Sequence, residues 1–311
     1  NGVIKMETTI KKMVKVFLAL PFLVLCATGG FAAVSAFDEI VVFGDSLSDN
    51  GNLVFIENQP EPDPELYWHG RFSNGPVWVE YLADLPLLNA PLTDRAIGGA
   101  QSGGFIGLNV QVPAYIATAD SPSPNALFII WIGGNDFLNG DGDFQATVAN
   151  INEAMEKLVE FGALHLLVLN LPDLGAIPAT LGKPEAAQAT AFSTNFNAEL
   201  AVMLDNFRVE HPEIGVYEFD VFAFAMAVKN DPAAYGFINV TDPSPNFDVP
   251  NNFDGAGYVF WDKRHPTTEM HALIADQVFA DLNEQVQPPV TNNEGQQKSD
   301  NSSCFIRSLM W

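Results

Sequence analysis

The chain has 311 residues, 48% of them hydrophobic, which is enough for one α/β domain with a large core. It sets 14 Lys and Arg against 38 Asp and Glu, a formal net charge of −24. A surface of that sign repels nucleic acid and anionic lipid, which disfavours polyanion binding as its role.

Lys11, Lys12 and Lys15 precede an almost wholly apolar run from Val16 to Ala27, and small residues follow up to Ala36. This basic, apolar, small-residue order is that of a secretory signal peptide, with cleavage expected after Ala36 and Met6 as candidate start. The expected product is secreted or periplasmic and keeps no stable membrane insertion, because the apolar run is short for a span. Cys26 leaves with the signal, so Cys304 remains as a lone cysteine and no internal disulfide forms. Residues 1–36 hold Lys5, Lys11, Lys12, Lys15 and Glu7, which leaves 10 basic against 37 acidic residues in the remainder.

Residues 37–287 show no repeat and no linker, and read as one domain. Apolar strand-like runs at 39–43, 127–132, 165–170 and 216–219 alternate with helical ones, which predicts a parallel sheet wrapped by helices. A weakly patterned segment at 92–97 supplies a fifth strand. Three- and four-residue apolar spacing predicts helices over 143–161, 184–210 and 267–286, the last entered through Pro266-Thr267-Thr268-Glu269. Residues 237–257, rich in Asn, Pro and Asp, read as a long surface loop. Residues 288–311 read as a disordered tail.

Four segments carry the chemistry of a serine-hydrolase site. The first is Gly44-Asp45-Ser46-Leu47, directly after an apolar strand, which places the Ser46 hydroxyl at the carboxyl edge of the sheet, where open α/β folds bind ligands. A serine hydroxyl needs a base to become a nucleophile. Of the five histidines, His165 and His211 look structural, and His271 reads as a surface or half-buried helix residue. His69 lies in an aromatic loop and is a weak competitor. His265 has Asp262 three residues before it, so one loop can set a carboxylate on the imidazole and fix its tautomer. The remaining two segments offer oxyanion donors: Gly99 a backbone N–H, Asn135 its side-chain amide, with the N–H of Ser46 as a third. Taken singly, each segment is as readily a turn, a cap or a surface salt bridge.

Together the four segments resemble the sequence blocks of the GDSL (SGNH) family of ester hydrolases. Further stretches are similar, namely Gly70-Arg71-Phe72-Ser73-Asn74-Gly75-Pro76-Val77-Trp78, Asn170-Leu171-Pro172-Asp173-Leu174-Gly175, and Phe260-Trp261-Asp262 leading to His265-Pro266-Thr267. The resemblance spans about residues 38–285. It implies a flavodoxin-like three-layer α/β/α fold with a central, mostly parallel five-stranded sheet. It also implies hydrolysis of small-molecule or lipid carboxylic esters through an acyl-serine. One departure is Asp94, which stands where the family often has Asn, five residues before the donor glycine.

Rival readings remain open from sequence. Ala100-Gln101-Ser102-Gly103-Gly104 resembles the nucleophile elbow of α/β-hydrolases, although the strand before it is poor. The acyl group could pass to an alcohol, as in a phospholipase/acyltransferase, or be an acetyl group on a carbohydrate. A non-catalytic binding module is a third possibility. No His-x-x-x-His, no cysteine pair and no phosphate-binding glycine loop is present, so neither metal nor cofactor is expected, and Asn139-Gly140-Asp141-Gly142-Asp143 reads as a turn.

Overall fold

The computed structural model describes residues 37–56, 62–84, 86–140 and 142–286. The expected signal peptide and C-terminal tail lie outside these residues. Five strands, β1 (Glu39–Gly44), β2 (Leu92–Asp94), β3 (Ala126–Trp131), β4 (His165–Leu169) and β5 (Gly215–Phe219), form one sheet in the order β2-β1-β3-β4-β5, and every pairing is parallel. This is the flavodoxin-like order, whose ligand crevice lies outside the carboxyl ends of the strands where the order reverses, at β1 and β3.

Alternate residues of a strand face opposite sides, and a parallel sheet covered on both faces therefore reads as unbroken apolar runs. Ile40, Val42, Leu127, Ile129 and Leu167 face one side. They pack on α1 (Trp78–Ala83), α6 (Val221–Asn230) and α7 (Thr268–Val286) through Trp78, Leu82, Phe224, Ile274 and Val278. Val41, Phe43, Phe128, Ile130 and Val168 face the other. They meet α2 (Leu108–Ile116), α4 (Phe144–Phe161) and α5 (Ala186–Glu210) through Val112, Ile151, Met155, Phe196 and Leu204. The three layers are thus helix, sheet, helix. A five-residue helix, α3 (Gly134–Leu138), follows β3, and a small parallel pair, β6 (Asn239–Pro243) and β7 (Tyr258–Phe260), precedes α7.

Two expectations change. The outer strand β2 stops at Asp94 instead of continuing to Ile97, because the Asp94 carboxylate takes the Ala96 N–H at 2.8 Å and turns the chain toward Gly98. The stretch 237–257 is not all loop, since β6 lies within it. Its residues are polar and partly exposed and its ladder is irregular between Asn239 and Pro243, so no apolar alternation marks it. The expected turn at 139–143 ends in Asp143, whose side chain accepts the Ala146 N–H and caps α4, a contact typically worth about 1 kcal/mol. Among the described residues no helix is long and apolar enough to cross a membrane.

Candidate active site

Strand β1 delivers the chain to the carboxyl edge and a tight turn follows at once. The Asp45 carbonyl accepts the N–H groups of Ser48 and Asp49, and its carboxylate accepts that of Leu47 at 3.0 Å. Ser46 stands in this turn, 6% exposed. The buried Gln111 side chain grips the end of the strand from α2, donating to the Gly44 carbonyl at 2.9 Å and accepting the Gly44 N–H at 3.0 Å. The backbone on both sides of Ser46 is therefore held by hydrogen bonds.

The imidazole comes from the other end of the domain. Phe260 and Pro266 form an antiparallel bridge, and the Trp261 N–H donates to the His265 carbonyl at 2.8 Å, so residues 261–266 make a closed loop between β7 and α7. Within it, Asp262 Oδ1 accepts the N–H groups of Arg264 (2.7 Å) and His265 (2.6 Å). Asp262 Oδ2 lies 2.7 Å from His265 Nδ1, and His265 Nε2 lies 2.9 Å from Ser46 Oγ. With Nδ1–H donating to the carboxylate, Nε2 is left to accept the serine proton, which is the tautomer a general base needs.

Burial alone would raise the Asp262 carboxyl. The facing His265 ring, its hydrogen bond, the Tyr67 hydroxyl and the Arg264 N–H reverse that and hold it well below the usual carboxylate range. Asp45 goes the other way. Burial pushes it up to about 7 against the single Leu47 N–H and the charge of His265, and Asp136 and Asp49 add like-charge repulsion. At Asp94, burial likewise raises the carboxyl well above its ordinary value despite N–H bonds from Ala96 and Asn50.

Gly99 and Asn135, the expected oxyanion donors besides Ser46 itself, border the same cleft as Ser46. Asn135 donates one side-chain N–H to the Ala100 carbonyl at 2.9 Å, which orients the amide, whose nitrogen carries a second N–H. Gly99 has φ +77°, a left-handed conformation that favours glycine, and no atom lies within 4 Å of where its Cβ would be. The neighbouring Gly98 N–H donates to Asp49 Oδ2 at 2.6 Å. A Cβ at Gly98 would meet the Phe72 ring at 2.2 Å, and that ring lies tilted against His265 with centroids 5.0 Å apart. Gly98 thus leaves room for the aromatic wall behind His265.

The other candidates fall elsewhere. Ser102 is fully buried, donates from Oγ to Asp136 Oδ1 at 2.6 Å and accepts from Asn150, so it is a structural hydroxyl and not an exposed elbow. His69 is exposed, with its ring against Trp68. His211 caps α5 and bonds Glu156, and His165 bonds Tyr217. His271 is a correction: it is completely buried, neither ring nitrogen has a hydrogen-bond partner among the described residues, and desolvation, then the charge of His265, lowers it to about 3, so it is neutral. The reason is its place on α7 beside Met270 and Ile274, on the face packed into the core.

Tyr67 was not foreseen. Its hydroxyl donates to Asp262 Oδ2 at 2.5 Å, across 195 residues of sequence, and its ring stands edge-on to His265 at 6.5 Å. Only the similarity of the neighbouring Gly70–Trp78 stretch hinted at a role for this region. Glu156, Glu210 and His211 are the described group whose ligand atoms, all within 4.8 Å of one another, could approach a cation; they sit at the end of α5 and on α4, and do not include any residue of the Ser46 cluster.

Two clefts meet at Ser46, Asn135, Arg264 and His265. One runs between α6, β7 and α7 and has a mostly aliphatic wall. The other is bordered by Gly99, Gln101, Tyr67 and Asp63.

A hydroxyl, an imidazole and a carboxylate in hydrogen-bonded series at the carboxyl edge of a flavodoxin-like sheet define the serine-hydrolase class of site. The chain belongs to the GDSL-like lipase/acylhydrolase family, whose profile matches residues 40–278. It is 29% identical over 273 residues to the thermolabile hemolysin of Vibrio parahaemolyticus, covering 79% of this chain and 64% of that one. It is 26% identical over 326 residues to the phosphatidylcholine-sterol acyltransferase of Aeromonas hydrophila, covering 85% and 96%. The solved structure of a catalytic mutant of an acetylxylan esterase from Geobacillus stearothermophilus aligns with a TM-score of 0.47 at 13% identity, covering 79% of this chain and 94% of that one.

Proposed function

We propose that the protein hydrolyses carboxylic esters of small-molecule or lipid alcohols through an acyl-serine. The observation that carries this reading is the continuous run Ser46 Oγ, His265 Nε2, His265 Nδ1, Asp262 Oδ2, with gaps of 2.9 and 2.7 Å. His265 Nε2 takes the Ser46 proton as Oγ bonds to the ester carbon. The negative oxygen is met by N–H groups of Ser46, Gly99 and Asn135, and aimed donors of this kind act strongly in a water-poor site. Collapse breaks the bond to the alcohol, which leaves with the proton from His265. Water then loses a proton to His265 as it attacks the acyl carbon. Collapse breaks the bond to Ser46 Oγ, which takes that proton back from His265 as the acid is released.

A second reading, in which an alcohol replaces water, is favoured by the match along almost the whole length of an acyltransferase. The same residues would serve both, and the products of a mixed water and alcohol reaction distinguish them. The hydrolase reading is tested with Ser46→Ala: turnover of p-nitrophenyl acetate is expected to fall by about 10⁴-fold or more, with loss of fluorophosphonate labelling. Wild-type-like labelling and turnover in that variant would refute it.

A further inference from the structure

The two clefts at Ser46 differ in kind, and an ester has two sides. Resting on the hydrolase reading, we infer that the aliphatic cleft between α6, β7 and α7 holds the acyl chain, so that the preferred substrates are esters of aliphatic acids of roughly eight to ten carbons and not acetyl esters.

The cleft opens on the reacting atoms, since Ser46, Asn135 and His265 all border it. Its wall then follows α6. Val221 begins that helix next to Asp220, whose carboxylate is held by Asn170 at the end of β4, so this end of α6 lies at the carboxyl edge of the sheet. Lys229, eight residues further on, also borders the cleft, and eight residues of helix rise about 12 Å. Val221 and Ala225 from α6, Val259 from β7, and Met270 and Ile274 from α7 line the path between. An extended chain of roughly eight to ten carbons fills such a length.

The assignment of sides follows from what each must do. The acyl group stays bonded to Ser46 through both steps, so a dry wall contributes to it throughout. The alcohol must leave after the first step and water must enter. The second cleft, with Gln101, Asp63, Tyr67 and Arg264 on its border, offers polar groups for that traffic. Each methylene moved from water into an aliphatic wall favours binding by up to about fourfold.

The test is kcat/KM for p-nitrophenyl esters from acetate to dodecanoate, paired with acetate esters of alcohols of rising length. In the wild type, the acyl series is expected to climb by at least tenfold from acetate to decanoate and then level, with the alcohol series flat. Ala225 is half-buried in the wall, and Ala225→Trp would fill the cleft. The decanoate-to-acetate ratio is then expected to fall at least about tenfold, so that the gain is abolished. Met226→Phe, on the same helix, gives a second and milder block if a melting scan shows the Trp variant unfolded. A flat acyl series in an enzyme that turns over acetate overturns the inference and leaves the hydrolase reading intact. So does a length dependence that survives both blocks, or one that follows the alcohol instead. An enzyme that turns over no ester and takes no fluorophosphonate defeats the hydrolase reading itself.

Discussion

The turn that carries Ser46 and the loop that carries His265 each bury a carboxyl group beside the same reacting atoms, and the two groups titrate in opposite directions. Asp262 receives two backbone N–H groups, a phenol hydroxyl and an imidazole, and stays ionised. Asp45 receives one backbone N–H, has Asp49 and Asp136 nearby, and is pushed up to about 7. Burial is similar, at 8% and 4% exposed, so burial does not separate them. The partners do: a dry carboxylate keeps its charge where several donors and a group that can become cationic converge on it. One aspartate holds its charge against His265, and the other is raised to about 7, where it is shared between its charged and neutral forms behind Ser46.

The largest expected effect comes from removing that charge. Asp262→Asn keeps the shape of the loop but can offer its amide N–H to Nδ1, which selects the wrong imidazole tautomer. kcat/KM for a short ester is expected to fall by about 10⁴-fold, with the melting temperature little changed. A loss below tenfold would mean that the charge contributes little to the base.

Asp45 sharpens the contrast through stability. A carboxyl raised from 3.8 to about 7 is bound to its proton more tightly in the fold than in the unfolded chain. Its contribution is therefore complete below pH 4 and is lost as pH rises through about 7, on the order of 4 kcal/mol for a shift of about three units. Urea unfolding of the wild type is expected to weaken from pH 4 to pH 8, and Asp45→Asn to flatten that slope. An unchanged slope in the variant would place the titration elsewhere.

Tyr67→Phe is the smallest of the three. It removes one donor from Asp262 Oδ2, the oxygen that faces His265. The carboxylate becomes more basic and favours the imidazolium, so the rising acid limb of the kcat/KM profile is expected to move to higher pH, with about a tenfold loss below it. A purely structural role for the phenol would lower activity evenly and leave the limb in place.

These differences mark what was legible in the chain. β1, β3, β4 and β5 were readable because a sheet covered on both faces needs unbroken apolar runs such as Ile40–Phe43 and Leu127–Ile132. α4, α5 and α7 were readable because each is long and its apolar residues recur with the helical period. α6 was not, since Val221–Val228 is almost continuously apolar and has no polar face to set a period. α2 carries Pro113 inside it, and α1 has only six residues. At the site, Ser46, Asp262 and His265 were signalled by local strings, and the structure brings all three together. Tyr67 and Gln111 were hidden because their importance lies in partners 195 and 67 residues away. The burial of His271 was missed because sequence fixes the spacing along a helix but not how wide a stripe its neighbours cover.

The hydroxyl lies just past the first strand of the domain and the imidazole just past the last, 219 residues apart. Under the hydrolase reading, the domain holds its attacking oxygen from its first strand but gains the group that arms it only as its last helix is added. On that reading a chain whose closing helix has not docked is idle toward esters, and turnover reports that the domain has been assembled.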